Sequence, residues 1–488
     1  MSKKIIILTL LVLFLLSLVR VAPLIYKGYA PTGSHGNLVL ARNLALNSGY
    51  KSENSENVVL ASSQVAEKGL NSTTGNKLTS YLISYVFRVF GFSPNLPFYV
   101  SVFMFALSGV LIFLLVLRLF NNYWLALSAF FLDLFMPFVW KGSLWAGFYE
   151  FASVFFLLGL LFYFWNKQPA TYNFLGAGIF LGLATISRNA FVLSVIPIVL
   201  FQFLKTRSYK NILCFALPIL IIFGFIGLFN NSYLTDKPSA DYGHLFPDSY
   251  IYHFEKETYL NEVDSTGNHE IAQFMLQYGY KVPFAQKIKM YLNSVIFYPK
   301  QLFSVINFGG SIFLFFAILG GTVLFKEKKK LFNFLVFWLI FWYLGLVLMK
   351  TNNWDHFLEI RFVLILLITL GAWKLIEIFG KQKILFGTGL ILLMSLQLFS
   401  SNKWLFHQDY DSSFFPEAFE IIDVINKQDF GDDDIIAVSF NQGAPKILNY
   451  YTDKSFIYFA PETIEKLKKE NKLEEIFKEF GVTYFLQI

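Results

Sequence analysis

Residues 96–119 read LPFYVSVFMFALSGVLIFLLVLRL, an apolar run in which Arg118 is the only charged residue. A transmembrane helix needs about 20 consecutive, mostly apolar residues, so this stretch predicts a membrane-spanning helix. The pattern recurs along the chain and predicts a mainly α, polytopic membrane protein with about 11 transmembrane helices. The predicted spans are 5–25, 96–119, 123–140, 149–166, 172–187, 189–204, 211–229, 302–325, 331–349, 361–379 and 384–401.

The composition agrees with a membrane location. Of the 488 residues, 55% are hydrophobic and only 15% are charged, whereas a soluble globular chain carries about 25% charged residues. Basic residues outnumber acidic ones, 40 to 33, but many lie between apolar runs, which indicates membrane orientation and argues against a nucleic-acid partner. The single cysteine, Cys214, excludes an intrachain disulfide and any multi-cysteine metal site.

The basic residues of the short loops predict the orientation. If the spans are counted correctly, these clusters share one side, which the positive-inside rule makes cytoplasmic. The first span then is an uncleaved anchor with a cytoplasmic N-terminus, and the C-terminal region is extracytoplasmic. The residues concerned are Lys3, Lys4, Lys205, Arg207, Lys210, Lys326, Lys328, Lys329, Lys330, Lys381 and Lys383.

Two domains are predicted. Residues 1–403 form a transmembrane domain with outer loops 26–95 and 230–300, and residues 404–488 form a soluble extracytoplasmic domain. In the first loop, an amphipathic helix over 81–92 is too short to span and is expected to lie in the membrane interface. In the C-terminal domain, strands alternate with helices, which predicts a small α/β unit with a parallel sheet. Its predicted strands are 435–440, 456–459 and 483–487, and its predicted helices begin at Pro416, Pro445 and Glu462, the last ending at Phe480.

Ionisable side chains at helix ends are the informative candidates for a site, because burying a charge in a membrane protein is costly. Glu150 follows an aromatic-rich outer segment and begins the fourth span. It is a candidate general base, metal ligand or substrate hydrogen-bond acceptor. The alternative is a carboxylate that complements the helix dipole.

Arg188 lies between two apolar stretches with Ser187 and Asn189 beside it. An arginine in this position can bind a phosphate in a bidentate manner. The alternative is an arginine at a helix end whose head reaches the interface.

A second outer cluster comprises Asp355, His356, Glu359 and Arg361, just before the tenth span. Arg361 is the candidate for an anionic ligand, with His356 and Glu359 as accessory residues. An ordinary charged belt at the interface is the alternative.

His35 lies in the first outer loop between Gly33 and Gly36, which leave the backbone open to a ligand. It is a candidate base, and a solvated turn residue is the alternative. Asp133 is an acid within a predicted span, and no partner for it is evident from the sequence.

The arrangement resembles the polytopic glycosyltransferases of the GT-C superfamily, in particular the dolichyl-phosphate-mannose–protein mannosyltransferases and the lipid A aminoarabinose transferases. That resemblance covers most of residues 1–380. It implies an enzyme that moves a sugar from a polyprenyl-phosphate carrier to a protein, lipid or glycan on the outer face. The similar segments are ARNLA at 41–45, Gly49-Tyr50, residues 76–91, Glu150, GLATISR at 182–188 and Arg361-Phe362.

One position departs from the family pattern, because Gly33 stands where the family has an aspartate thought to activate the acceptor or to help bind metal. Three outcomes follow: His35 replaces that aspartate as the base, a glutamate of the loop does so, or catalysis is lost.

The sequence therefore predicts a transferase with Glu150 and His35 as candidate bases and with Arg188 and Arg361 as cations for the leaving phosphate. The clustered ligands expected of a divalent site are missing, so no metal ligand is assigned, although the resemblance leaves a divalent metal open. The alternatives are an inactive relative that binds a lipid-linked glycan, and a transporter or flippase. A transporter would carry ionisable residues near mid-span and paired, broken helices related by an internal repeat.

Overall fold

The structure is a computed structural model, and it describes only part of the chain. Within the described part most residues are helical. His35 and Gly33 lie outside it, as does most of the helix predicted from Pro445. The described residues are 3–26, 38, 41–46, 77–139, 148–165, 171–205, 209–232, 284–349, 354–378, 382–407, 416–428, 430–431, 434–439, 448, 451–452, 454–459, 461–479 and 481–487.

The helices of the described part include matches to the predicted spans and to the amphipathic helix of the first outer loop. They are accompanied by 3-10 turns at Asn189–Phe191 and Trp354–Ile360. The helices are α1 (Lys3–Tyr26), α2 (Lys77–Phe90), α3 (Leu96–Phe120), α4 (Tyr123–Phe135), α5 (Phe148–Phe164), α6 (Thr171–Ser187), α7 (Val192–Lys205), α8 (Tyr209–Ser232), α9 (Phe284–Leu302), α10 (Val305–Phe308), α11 (Ser311–Glu327), α12 (Lys329–Met349), α13 (Arg361–Ile378) and α14 (Lys383–His407).

Two of the described helices, α3 and α12, are long and apolar enough to cross a membrane by length and composition. Large apolar side chains also face outward, such as Ile7 (66% exposed) and Val19 (71%) on α1 and Phe399 (69%) on α14. Apolar patches of this kind are typical of a surface that contacts lipid or protein. The number of membrane crossings stays a prediction.

The predicted span over 302–325 is wrong in its first part. The long helix α9 occupies the end of the predicted outer loop 230–300, and α11 starts only at Ser311. The break has a local cause, because Gly309 and Gly310 adopt φ values of 88° and 91°. Such left-handed conformations are accessible to glycine and interrupt a right-handed helix.

Close backbone packing joins α11 to α13. A methyl group added at Gly320 would overlap the carbonyl oxygen of Leu367, and one at Gly371 would overlap that of Phe316. These two glycines therefore allow the helices to approach at the backbone, and α13 carries Arg361 as its first residue.

The chain divides into two compact units. The first comprises Met1–Tyr29, Phe98–Gly227 and Tyr291–Tyr410, and the second comprises Ala30–Pro97, Leu228–Met290 and Asp411–Ile488. The predicted outer loops thus fall largely in the same unit as the C-terminal region. The predicted domain boundary at 403/404 stays a prediction.

The second unit contains a three-stranded parallel sheet in the order β2-β1-β3. Helices α16 and α17 pack on it through a small core of Ala437, Ile464 and Leu467. Its elements are α15 (Pro416–Lys427), β1 (Ile435–Ser439), β2 (Ser455–Phe459), α16 (Pro461–Lys469), α17 (Leu473–Glu479) and β3 (Tyr484–Gln487).

The single helix predicted over 462–480 is two helices. Asn471 adopts φ 57°, and the Lys472 amide donates to the carbonyl of Leu467 at 2.9 Å. This is the Schellman pattern that ends a helix, and asparagine tolerates the left-handed conformation it needs. The strands lie where the alternating pattern predicts them.

Helix α2 of the second unit matches the predicted amphipathic helix. Tyr85, Val89 and Phe90 are exposed on it, whereas Ile83 and Phe87 are buried. The exposed apolar face is compatible with the membrane interface, and that location stays a prediction.

Candidate functional site

The first unit contains a buried ion cluster centred on Arg361. Its guanidinium donates two hydrogen bonds to Asp133, from Nε to Oδ1 at 2.6 Å and from Nη2 to Oδ2 at 2.5 Å. Its third nitrogen, Nη1, lies 3.4 Å from Oε2 of Glu150. Arg361 is 2% exposed, and both carboxylates are fully buried. We call these three residues the Arg361 cluster.

Three helix ends meet in the Arg361 cluster. Asp133 is in the last turn of α4, Glu150 is in the first turn of α5, and Arg361 begins α13. Ser108 of α3 adds a hydrogen bond from its hydroxyl to Oε2 of Glu150 at 3.1 Å. Since an unpaired buried charge is costly, this pairing holds the helix ends in fixed positions.

The other carboxylate oxygen of Glu150, Oε1, has no hydrogen-bond partner among the described residues. The hydroxyl of Ser153, one turn further along α5, is likewise buried without a partner in the described part of the chain. A buried acceptor without a partner is uncommon in proteins. Glu150 therefore contacts Arg361 through Oε2, while its Oε1 has no hydrogen-bond partner among the described residues.

A second cluster is centred on Glu359. Nδ1 of His356 lies 2.7 Å from Oε1 of Glu359, and the indole N–H of Trp342 donates to Oε2 at 3.1 Å. Glu359 is fully buried, and His356 is 8% exposed. The ring of Tyr298 packs against Trp342, with their centroids 5.5 Å apart.

Arg188 completes this second cluster with a looser contact. Its Nη2 lies 3.9 Å from Oε1 of Glu359, and its guanidinium stacks on the ring of Tyr149 at 3.6 Å from the centroid. Stacking on an aromatic face fixes the plane of an arginine without neutralising its charge. We call Arg188, Glu359, His356, Trp342 and Tyr149 the Arg188 cluster.

The backbone of Glu359 is also held. Ser194 of α7 donates its hydroxyl to the carbonyl oxygen of Glu359 at 2.9 Å. Trp338 of α12 donates its indole N–H to that hydroxyl at 2.8 Å. These bonds attach the 3-10 turn to α7 and α12. They therefore fix the positions of Glu359 and of Arg361, which follows the turn.

The two clusters include residues that are adjacent in the sequence. Tyr149 and Glu150 are consecutive and serve different clusters, and so do Glu359 and Arg361, two residues apart. A displacement of either segment therefore affects both arginines.

The structure brings together five residues selected from the sequence, which are Glu150, Arg188, His356, Glu359 and Arg361. His35, the sixth, lies outside the described residues. Asp133, for which the sequence offered no partner, is paired with Arg361. Their catalytic and binding roles stay predictions.

Other members of the site were not selected from the sequence. Asp133 carried a usable signal, because a buried acid within a span requires a cation. The remaining residues look like ordinary serine and aromatic members of apolar helices, and no sequence signal separates them from the core. They are Ser108, Tyr149, Ser194, Trp338 and Trp342.

The described residues contain no group of three or more His, Cys, Asp or Glu that could hold a metal ion. The two carboxylates that approach one another, Asp133 and Glu150, both bind Arg361. A guanidinium therefore occupies the place a cation would take between them, and this pair does not fit a metal.

No protein-family model matches the chain, and no curated protein matches it by sequence. Solved structures do match. The crystal structure of the Archaeoglobus fulgidus oligosaccharyltransferase in the apo form has a TM-score of 0.56 at 13% identity, covering 99% of this chain and 69% of that one. Its complex with Zn and sulfate has a TM-score of 0.54 at 15% identity, covering 93% and 63%.

ArnT from Cupriavidus metallidurans, in a structure bound to undecaprenyl phosphate, has a TM-score of 0.54 at 9% identity. The match covers 97% of this chain and 90% of that one. The chain thus has a GT-C-like fold, which confirms the resemblance drawn from the sequence. At these identities the likeness establishes the fold alone.

Proposed function

We propose that the chain is a membrane glycosyltransferase that moves a sugar from a polyprenyl-phosphate-linked donor to an extracytoplasmic acceptor, which is a protein, lipid or glycan. The GT-C-like fold supports this, since one matching structure is bound to undecaprenyl phosphate and the other is an oligosaccharyltransferase. The observation that carries the proposal is the Arg188 cluster, in which an arginine and a histidine lie side by side on one buried carboxylate.

Of the two arginines that the sequence offered for the donor phosphate, Arg188 is the better candidate. Arg361 is 2% exposed, and its three nitrogens contact two carboxylates at 2.5–3.4 Å. Arg188 is 6% exposed, and its ion pair with Glu359 spans 3.9 Å. The anionic phosphodiester of the donor can take the place of the carboxylate in a long ion pair at low cost, whereas displacing a buried bidentate pair leaves a carboxylate without its partner.

The chemistry requires a cation where the carrier phosphate leaves. The bond between the sugar C1 and the phosphate oxygen breaks, and its electron pair stays on the polyprenyl phosphate. The acceptor oxygen forms the new bond to C1 and gives its proton to a base. Arg188, with the ring of His356 beside it on the same carboxylate, stabilises the charge that develops on the phosphate.

The residue that takes the proton lies in the first outer loop under this proposal. His35 is the candidate, since Gly33 occupies the position of the family's aspartate. Glu150 then acts mainly by orienting Arg361 and α5, because its Oε2 is engaged by Arg361 and Ser108. Its Oε1 is the atom that could accept a substrate hydroxyl if the site opens.

The predicted topology agrees with an extracytoplasmic site. Both clusters lie at the ends of α4, α5, α6 and α13 that face away from the basic loops. With those loops in the cytoplasm, the clusters lie near the outer face, where the acceptor would be.

The test is the release of free carrier phosphate by purified protein in lipid, with a panel of polyprenyl-phosphate sugars. Arg188→Ala is expected to lower release about 100- to 1000-fold, the effect of removing one charge-stabilising donor. Arg188→Lys is expected to retain part of the activity, and His35→Ala is expected to abolish it. Lys374→Ala, an exposed lysine in the last turns of α13, is the control and is expected to leave release unchanged.

A wild-type protein that binds a labelled donor but releases nothing would favour the inactive relative. If the protein neither binds a donor nor releases carrier phosphate, the transporter is the function to test next. Equal activity in wild type and Arg188→Ala would contradict the assignment of the phosphate to the Arg188 cluster.

A further inference from the structure

An open cavity of about 840 Å³ lies in the first unit, away from both charge clusters. Its lining comes from the ends of α3, α5, α7 and α11 and from the start of α12. Glu150 and Tyr163 are 13 residues apart on α5, which corresponds to about 20 Å along a helix. The cavity and the candidate site are therefore at opposite ends of the same helices.

Three consecutive lysines, Lys328, Lys329 and Lys330, stand at the mouth of the cavity. Lys328 is half-buried, donates from Nζ to the carbonyl of Leu119 at 2.6 Å and lies 4.3 Å from the centroid of the Phe120 ring. Lys329 and Lys330 are exposed. Partial burial lowers the pKa of Lys328, which indicates that its charge is poorly solvated and would gain from an anion.

The acidic residue at the mouth does not cancel these charges. The carboxylate of Glu327 lies 3.3 Å from Nζ of Lys374, which approaches from α13. Lys374 also lies 3.2 Å from the carboxylate of Glu377, so its charge is shared between two acids. The net positive charge of the mouth comes from three lysines against the one glutamate among the lining residues.

The floor of the cavity is aromatic and apolar. The rings of Phe201 and Phe334 pack at 4.9 Å, and those of Phe164 and Phe334 at 6.1 Å. Leu204 at the rim is 76% exposed. A cationic mouth above an apolar floor matches a molecule with an anionic head and a hydrocarbon chain.

We propose that this cavity binds an anionic phospholipid, with the phosphate at Lys328, Lys329 and Lys330 and an acyl chain along Phe201 and Leu204. The lysine cluster is on the side that the loop charges predict to be cytoplasmic, where anionic lipids attract basic residues. A basic pocket between helices on that side is the usual form of a lipid headgroup site.

The test uses full-length protein in mild detergent, titrated with phosphatidylglycerol or phosphatidylcholine of identical acyl chains, with bound lipid counted by native mass spectrometry. Wild type is expected to bind the anionic lipid at least 10-fold more tightly. Lys329→Gln/Lys330→Gln is expected to weaken that binding about 30-fold, since each lysine near a lipid headgroup contributes about a factor of five to ten. Lys4→Gln/Lys210→Gln removes the same charge from other exposed lysines and is expected to have no effect on it.

Leu204→Ser tests the apolar part and is expected to weaken lipid binding several-fold without affecting competition by glycerol phosphate. Equal binding of both lipids would mean an ordinary lipid annulus and would overturn the proposal. The same would follow if both lysine pairs had equal effects, or if glycerol phosphate competed as well as the lipid. Carrier-phosphate release, measured on the same variants, separates this outcome from failure of the proposed function.

Discussion

The Arg361 and Arg188 clusters both pair a guanidinium with a buried carboxylate, but they hold the arginine differently. Arg361 is bound by Asp133 through two short hydrogen bonds and by Glu150 at 3.4 Å, whereas the contacts of Arg188 include an ion pair with Glu359 at 3.9 Å and the ring of Tyr149. A cation already neutralised by short, buried bonds stabilises a particular arrangement of helices. A cation with a long ion pair and an aromatic support remains able to exchange its partner for a ligand.

This difference assigns a structural task to one arginine and a binding task to the other. Their closeness in sequence, through Tyr149-Glu150 and Glu359-Ile360-Arg361, lets the first cluster position the second. Mutations in the Arg361 cluster should therefore lower stability first, and those in the Arg188 cluster should lower activity first.

The largest effect on stability is expected from removing the charge of Asp133. Asp133→Asn leaves Arg361 with one distant carboxylate in a buried site, and we expect a loss of about 3–5 kcal/mol in the free energy of unfolding. Glu359→Gln makes the matching change in the other cluster and is expected to cost no more than about half as much. Its contact with Arg188 is long, and the glutamine amide can still accept or donate hydrogen bonds at Trp342 and His356. Unfolding in detergent micelles measures both. Equal losses would mean that the two clusters have the same structural role.

A smaller loss is expected from Trp342→Phe. The variant removes the buried N–H that donates to Oε2 of Glu359 at 3.1 Å, and a hydrogen bond to a charged group contributes about 1.5–3 kcal/mol. Trp373→Phe is the matched control, because Trp373 donates to Glu377 at 2.8 Å in an exposed place. The same unfolding measurement should find a clearly smaller cost there. If Trp373→Phe lowers the free energy of unfolding as much as Trp342→Phe does, burial of the Glu359 carboxylate does not strengthen its hydrogen bond.

The smallest of the three effects is expected from Gly320→Ala. The added methyl group would push α13 away from α11, with a cost of about 1–3 kcal/mol for overpacking. It should also lower carrier release, because α13 carries Arg361. Gly321→Ala is the control on the same helix, where the nearest atom to the added methyl group is a side-chain carbon of Phe332 at 3.8 Å. Equal thermal stability of the two variants would show that the close helix contact is unimportant.

Much of the helix pattern could be predicted from the sequence. Apolar runs bounded by basic loops gave α3, α6 and α12 to within about two residues, because length and apolarity are local properties. The helix break before Ser311 was missed, because two glycines within an apolar run do not by themselves indicate that the backbone at Gly309 and Gly310 is left-handed. The division at Asn471 was missed for the same reason.

The site was only partly predictable. Five selected residues do converge, because ionisable groups at helix ends stand out against an apolar background. Which carboxylate pairs with which arginine was not readable, since Asp133 and Arg361 are 228 residues apart in the chain.

Composition and spacing alone indicated a membrane protein, a helical architecture and the charged residues to consider. These properties depend on local apolarity and on the cost of burying charge. Tertiary packing determined the pairing of those charges. It also determined that Arg361 is hydrogen-bonded to Asp133 at short distance, whereas Arg188 lies 3.9 Å from Glu359. The reason is physical: an ion pair forms between helix ends that packing brings within about 4 Å, and no local pattern encodes that distance.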